Sequence, residues 1–265
     1  GTAVTFCPDP EIFGEKPYFR PSTLYRMARS KAYLFAGVEI RWRCDPALLA
    51  NDDPVPAEAV LHYPGGLSDY LNDATADTAL LVSTPFADLV ELDGQKFEWA
   101  ITWLGAGEDG FFHSYCNTVP TPSGGTHEAG FRQAITRALR SFGDLAGNRK
   151  AAEITADDVF AGTAVMLSVF LRDPQFQGQT KDRLVSADAT RQTEQAARDR
   201  FEQWLAADAA RANFLLDAAI ERAEERKRRK KEREVARKSA TRKLRLPGKL
   251  ADCTASDTDL TELFL

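Results

Sequence analysis

An amide and an ammonium stand two residues apart in the stretch Asp173-Pro174-Gln175-Phe176-Gln177-Gly178-Gln179-Thr180-Lys181. Pro174 and Gly178 force a bend directly after the most apolar segment of the chain. If the bend continues as extended chain, Gln179 and Lys181 leave the same side of it. An amide donor beside an ammonium suits a terminal phosphate oxygen, with the lysine acting as a mobile point charge. A solvated surface lysine has the same residue type, and chemistry alone leaves both readings open.

Two further stretches could meet anions. Ser123-Gly124-Gly125-Thr126-His127-Glu128 reads as a glycine turn feeding a helix, where backbone N–H groups can face an anion. Its plainer reading is a loop capped by Thr126, with His127 as a structural hydrogen bonder. From Glu221 to Lys243 there are twelve Lys or Arg against five Glu, an excess of +7, so the rest of a chain of net charge −5 carries −12. Arg228, Arg229, Lys230 and Lys231 at its centre are candidates to lie near nucleic acid, each phosphate contact adding a salt-dependent term. The alternative is a solvated helix face supported by Glu224 to Arg228 and Glu225 to Arg229 pairs at i,i+4.

Several classes are set aside. Cys7, Cys44, Cys116 and Cys253 are scattered without a CxxC pair, which argues against a zinc site or disulfide framework and fits a cytoplasmic protein. The longest apolar run, Ala161 to Leu171, is far short of the ~20 residues that span a bilayer. No Walker, Rossmann or HExxH pattern is present. The start lacks a signal pattern and an initiator methionine and the end stops inside an apolar run, so both are expected to lie within a longer chain.

The elements that must position these groups follow from periodicity. Thr2 to Phe6 alternates as a strand, and Pro21 opens a helix with Leu24, Ala28, Ala32 and Phe35 on one face and Gly37 as its stop. Val38, Ile40 and Trp42 predict a half-buried strand, 45–58 a loop, 67–71 a short helix and 72–79 a linker. Strands are predicted at 80–82, 97–103, 111–116 and 164–170. Phe131, Ile135, Leu139 and Phe142 predict a helix capped by Gly143. Another helix begins near Thr190. A last one begins near Asp208, buries Phe214, Leu215, Ala218 and Ile220, and leaves the body as a polar rod past Lys238.

Three motifs, taken in order, resemble one family. They are Gly124-Gly125-Thr126-His127 with Gly130-Phe131-Arg132, Asp173-Pro174-Gln175-Phe176 through Gly178-Gln179-Thr180-Lys181, and Leu246-Pro247-Gly248-Lys249-Leu250-Ala251-Asp252-Cys253. Together they resemble the B subunits of bacterial type IIA DNA topoisomerases. Ala251-Asp252-Cys253-Thr254-Ala255 and the ending Thr261-Glu262-Leu263-Phe264-Leu265 look closer to topoisomerase IV than to gyrase.

The resemblance implies an α+β chain in three parts. Residues 1–75 would be the C-terminal part of a GHKL ATPase domain. Residues 76–240 would be a transducer similar to the second domain of ribosomal protein S5, with a left-handed βαβ crossover and a long exit helix. Residues 241–265 would be the start of a TOPRIM domain. It also implies that Lys181 reaches the γ-phosphate of ATP, that Gln179 assists, and that Thr2 lies near the adenine-recognising aspartate. The general base, the Mg²⁺ ligands and the lid would precede Gly1, and the TOPRIM metal motif would follow Leu265, so this stretch alone is expected to be inactive. ATP and Mg²⁺ would be cofactors of the complete subunit. Its partners would be the A subunit in an A2B2 assembly, duplex DNA, and a second copy of the same subunit on ATP binding. Two alternatives remain: an S5-like nucleic-acid-binding module, or a mechanical element whose rod docks on a partner protein.

Overall fold

The computed structural model describes residues 1–14, 19–49 and 55–243, and the side chains of the last helix as far as Val235. The fold is α+β. The first elements are α1 (Pro10–Phe13), α2 (Pro21–Leu34), β1 (Glu39–Arg43), β2 (Glu58–His62) and α3 (Leu67–Ala74). There follow β3 (Phe86–Leu92), β4 (Gln95–Trp103), β5 (Phe111–Cys116), β6 (Val119–Pro120), α4 (Thr126–Leu145), a 3₁₀ turn at Arg149–Glu153, α5 (Ala156–Phe160), β7 (Thr163–Phe170), α6 (Ala187–Ala207) and α7 (Ala209–Lys243). The predicted start at Leu246 onward of a third part lies outside the described residues.

The central sheet has the order β3-β4-β7-β5-β6, with β5 and β7 parallel and the other neighbours antiparallel. β4 and β7 lie inside it and are almost wholly buried; β7 reads as a near-continuous apolar run, while β4 alternates its aromatic residues with Glu98, Ala100 and Thr102. A parallel pair needs a crossover, and α4 with α5 supplies it between β5 and β7. One sheet face packs on α4, α6 and the first half of α7 through Trp99, Phe131, Phe201 and Leu215. The other packs on α2 and α3, where Ala32, Leu34, Leu67 and Leu71 share a core with Ala100, Tyr115 and Met166. The Tyr33 and Tyr115 hydroxyls meet at 2.6 Å in that second core, and burial pushes the pKa of each upward.

Several predictions shift on contact with the fold. Thr2–Phe6 forms no strand: it is exposed, and no described strand lies beside it to complete a ladder. The strand predicted at 80–82 reduces to a single bridge from Leu80 to Leu104. β2, the edge strand β3 and the short β6 were not predicted, because the half-exposed Ala- and Glu-containing runs of β2 and β3 lack the β-branched density of the interior strands. Phe35 lies beyond the end of α2 and is exposed. Gly143 is not a cap. It is buried inside α4, where a Cβ would overlap that of Ala151, so glycine serves close packing there.

The last helix also differs from a free rod. Phe214 is 51% exposed and Ala218 only half-buried, while Ala212, Leu215, Leu216, Ala219 and Ala223 form its buried stripe. Its first basic turns then stay docked: Lys150 pairs with Glu224 at 2.6 Å, Arg226 with Asp158 at 2.7 Å, and Lys227 with Glu153. The helix parts from the body about two turns later than the polarity of its sequence implies, because carboxylates on the 3₁₀ turn and α5 meet its cations.

Candidate functional site

The segment carrying Gln179 and Lys181 is a hairpin-like excursion between β7 and α6. Phe176 and Leu184 face each other as an antiparallel bridge, the Gln177 amide donates to the Arg183 carbonyl at 2.9 Å, and the Val185 amide donates to Gln175 at 2.8 Å. Phe176 packs against the main core and Leu184 is fully buried, so the base of the excursion is fixed while Gln177 to Lys181 is exposed.

At the tip the chain is not extended. Gln179 and Thr180 form a turn after Gly178, whose φ is 74°, and Lys181 itself has a left-handed φ of 59°. The same-side argument from period-two alternation therefore does not apply. What the turn does instead is present both side chains at an exposed apex. A lysine at positive φ is uncommon and carries backbone strain, which a tightly bonded base can hold. The Lys181 ammonium lies 5.9 Å from the centroid of the Phe176 ring, and no hydrogen bond or ion pair among the described residues ties it or the Gln179 amide. An ammonium and an amide without hydrogen-bond or ion-pair partners among the described residues are a donor set that fits phosphate oxygens.

The base is held from one side by the glycine segment. Ser123 N donates to Asp182 O at 3.0 Å, Leu184 N to Gly124 O at 3.1 Å, and Thr126 N to Leu184 O at 3.0 Å. Gly125, at φ 144°, is the point of closest approach: a Cβ there would overlap the Leu184 carbonyl. The first amide of α4 is spent on Leu184, so Thr126 N is not free to face an anion. Nor is Thr126 the cap. Gly125 occupies the cap position, and the Thr126 hydroxyl is buried without a partner among the described residues.

Beneath this segment lies a buried polar chain that sequence reading missed. The Glu128 carboxylate accepts from Ser114 Oγ at 2.8 Å, Ser114 Oγ lies 2.6 Å from Thr121 Oγ1, and Thr121 Oγ1 lies 3.1 Å from His127 Nε2. Burial drives the His127 pKa down to about 4 and keeps the ring neutral. Burial also raises that of Glu128, opposed by the Ser114 hydrogen bond and by Arg132 and Arg183. The only sequence signal was the adjacency of His127 and Glu128, whose side chains are joined through β5 and the following turn rather than to each other.

Thr2 is exposed, and no contact among the described residues joins it to Gln179 or Lys181. Of the four basic candidates on α7, Arg228 pairs with Glu232 at 3.8 Å and Arg229 with Glu225. Lys230 and Lys231 have no ion pair among the described residues. Glu224 turns to Lys150 rather than to Arg228 as its spacing suggested. Arg222, Arg226, Arg229, Lys230 and Arg233 line one groove of about 400 Å³ beside Asp157 and Asp158. No cluster of three or more His, Cys, Asp or Glu is placed to hold a metal among the described residues, and no described helix is long and apolar enough to cross a membrane.

Comparison with known proteins bears on the family and the fold. Over its whole length the chain is 53% identical to the B subunit of DNA topoisomerase 4 from Caulobacter vibrioides and 45% identical to that from Rickettsia prowazekii, spanning 39% and 40% of their lengths. The 43K ATPase domain of Thermus thermophilus gyrase B, solved with an aminocoumarin, superposes with a TM-score of 0.69 at 28% identity, covering 86% of this chain and 59% of that one. The topoisomerase IV ATP-binding domain of Francisella tularensis, at 24% identity and a TM-score of 0.67 over 82% of this chain and 56% of that one, shares the fold. The family model for DNA gyrase B matches residues 66–235, well over half of the chain. The chain belongs to the DNA gyrase B family.

Proposed function

We propose that this chain couples ATP to gate motion in a type II DNA topoisomerase of the topoisomerase IV kind, with Lys181 sensing the γ-phosphate and Gln179 assisting. The observation that carries the proposal is the exposed Lys181 ammonium, without an ion pair among the described residues, on a hairpin whose base is locked into the body. A base held by backbone bonds fixes where the lysine starts, and four side-chain torsions let it reach. When bound, ATP supplies a γ-phosphate that gains negative charge in phosphoryl transfer, and a positioned cation stabilises that charge with little reorganisation. Lys181 contributes only while that phosphate is present, so its release frees the body that carries it. Thr2, exposed near the chain start, would lie beside the adenine pocket of the complete subunit.

In this reading residues 1–75 end a GHKL ATPase domain, 76–240 form the transducer and its exit helix, and 241–265 begin a TOPRIM domain. Mg²⁺ would be held by residues other than these. The complete subunit would work in the cytoplasm with an A subunit as an A2B2 assembly, pairing with its own second copy on ATP binding and passing one DNA duplex through another to decatenate or relax it. Lys230 and Lys231, lacking acidic partners among the described residues, are the strongest DNA-proximal candidates on α7. The test is DNA-stimulated ATP turnover by the intact subunit assembled with its partner, comparing wild type with Lys181→Ala. Collapse of turnover is expected. Unchanged turnover would make Lys181 an ordinary surface charge.

A further inference from the structure

Thr121 ties the glycine segment to β5. It is 1% exposed. Its amide donates to the Ser114 carbonyl at 2.9 Å and its carbonyl accepts from the Gly124 amide at 2.8 Å and from Ser114 Oγ at 3.2 Å. Its hydroxyl reaches Ser114 Oγ and, on the other side, His127 Nε2. The turn from Thr121 to His127 is therefore closed on itself by one backbone and one side-chain contact, and it is fastened to β5. Its outer edge, Ser123 to Thr126, makes the three backbone bonds to Asp182 and Leu184, immediately after Lys181.

We propose that Thr121 and His127 are positioning residues for Lys181, holding the Ser123–Thr126 edge on which the lysine hairpin is seated. The inference rests on the reading of Lys181 as a γ-phosphate sensor. His127 is fully buried with Nε2 against Thr121 and Nδ1 without a partner among the described residues, and Arg183 on the hairpin acts electrostatically on Glu128 at the far end of the polar chain. A purely structural core histidine needs no connection to the hairpin. This one is two residues from Gly125, where the two segments touch most closely. Loss of the Thr121 hydroxyl leaves His127 Nε2 unpaired in the interior, and the least costly relief is a shift of the turn, which carries the hairpin with it.

The test uses the intact subunit and compares affinity for a non-hydrolysable ATP analogue with affinity for ADP. Only the former has a γ-phosphate, so a misplaced Lys181 weakens the analogue and leaves ADP unchanged. Thr121→Val keeps the shape and removes the hydroxyl, whereas Thr121→Ser keeps the hydroxyl. Loss of a hydrogen bond to a charged group costs about 10-fold or more in affinity. Thr121→Val is expected to lower analogue affinity by about 10-fold relative to ADP, with Thr121→Ser close to wild type. If Lys181→Ala lowers the ratio and Thr121→Val does not, or lowers both affinities alike, the positioning role is overturned while the lysine reading stands. If Lys181→Ala itself leaves the ratio unchanged, the lysine reading falls and the positioning role with it.

Discussion

Arg226 grips both carboxylate oxygens of Asp158 with one edge of its guanidinium: Nη2 lies 2.7 Å from Oδ2 and Nε lies 2.9 Å from Oδ1. The same carboxylate accepts from the Thr155 amide at 2.8 Å and hydroxyl at 2.7 Å, so one 4%-exposed side chain caps α5 and anchors α7. Burial alone would raise the Asp158 pKa, but the hydrogen bonds from Arg226 and Thr155 outweigh it and hold it below the ordinary value. Arg226→Ala should therefore cost about 1–3 kcal/mol, because it leaves a largely buried carboxylate without its counter-charge. Amide exchange in α5 and the first half of α7 reads this locally, and Arg226→Lys should restore it only in part, since an ammonium cannot grip both oxygens.

The same pair separates structure from DNA contact on α7. Lys230→Ala with Lys231→Ala is expected to reduce the slope of log affinity for duplex DNA against log salt by about 2, with little change in stability. Arg226→Ala should do the reverse. Equal slopes in wild type and the double variant would place the DNA elsewhere.

His127 gives the pH dependence a definite sign. Its folded pKa of about 4 lies below its ordinary value of 6.5, so the unfolded chain binds more protons between these values and stability falls as pH drops from 6.5 toward 4. The loss across that window is roughly 3 kcal/mol. Glu128, whose pKa is raised by burial, acts in the opposite sense, so the comparison is wild type against His127→Gln by denaturant unfolding at each pH. The variant should lack the slope assigned to His127, and an identical slope in both would show that the histidine is free to protonate in place.

Gly125→Ala should disturb the lysine hairpin more than an alanine at Gly178. Both glycines have positive φ, but only at Gly125 would the new Cβ overlap backbone, at Leu184. The expected cost at Gly125 is about 2 kcal/mol or more, and increased amide exchange at Leu184 and Thr126 would locate it.

The interior strands, α4, α6 and the extent of α7 were legible because their apolar residues recur at periods that burial enforces. Thr163 to Phe170 is nearly apolar throughout, and Phe97, Trp99, Ile101 and Trp103 recur at period two, so burial left a clear pattern in both. Elements that depend on a neighbour were not legible. Thr2 to Phe6 has strand alternation but no described strand beside it, and Gly143 looked like a cap because a distant Ala151 is invisible to local pattern. Lys181 and Gln179 were found from motif resemblance, yet the reason for their geometry lies about 55 residues upstream, at Gly125 and Thr121. The docking of Arg226 was hidden likewise, since its partner Asp158 is 68 residues away.

The most direct measurement is a structure of the full-length protein in complex with a non-hydrolysable ATP analogue, read at one distance. The account predicts the Lys181 ammonium within about 2.7–3.2 Å of a γ-phosphate oxygen, moved off the Phe176 ring while the Phe176–Leu184 base stays as it is here. A γ-phosphate held in place with Lys181 still lying over Phe176 would contradict it.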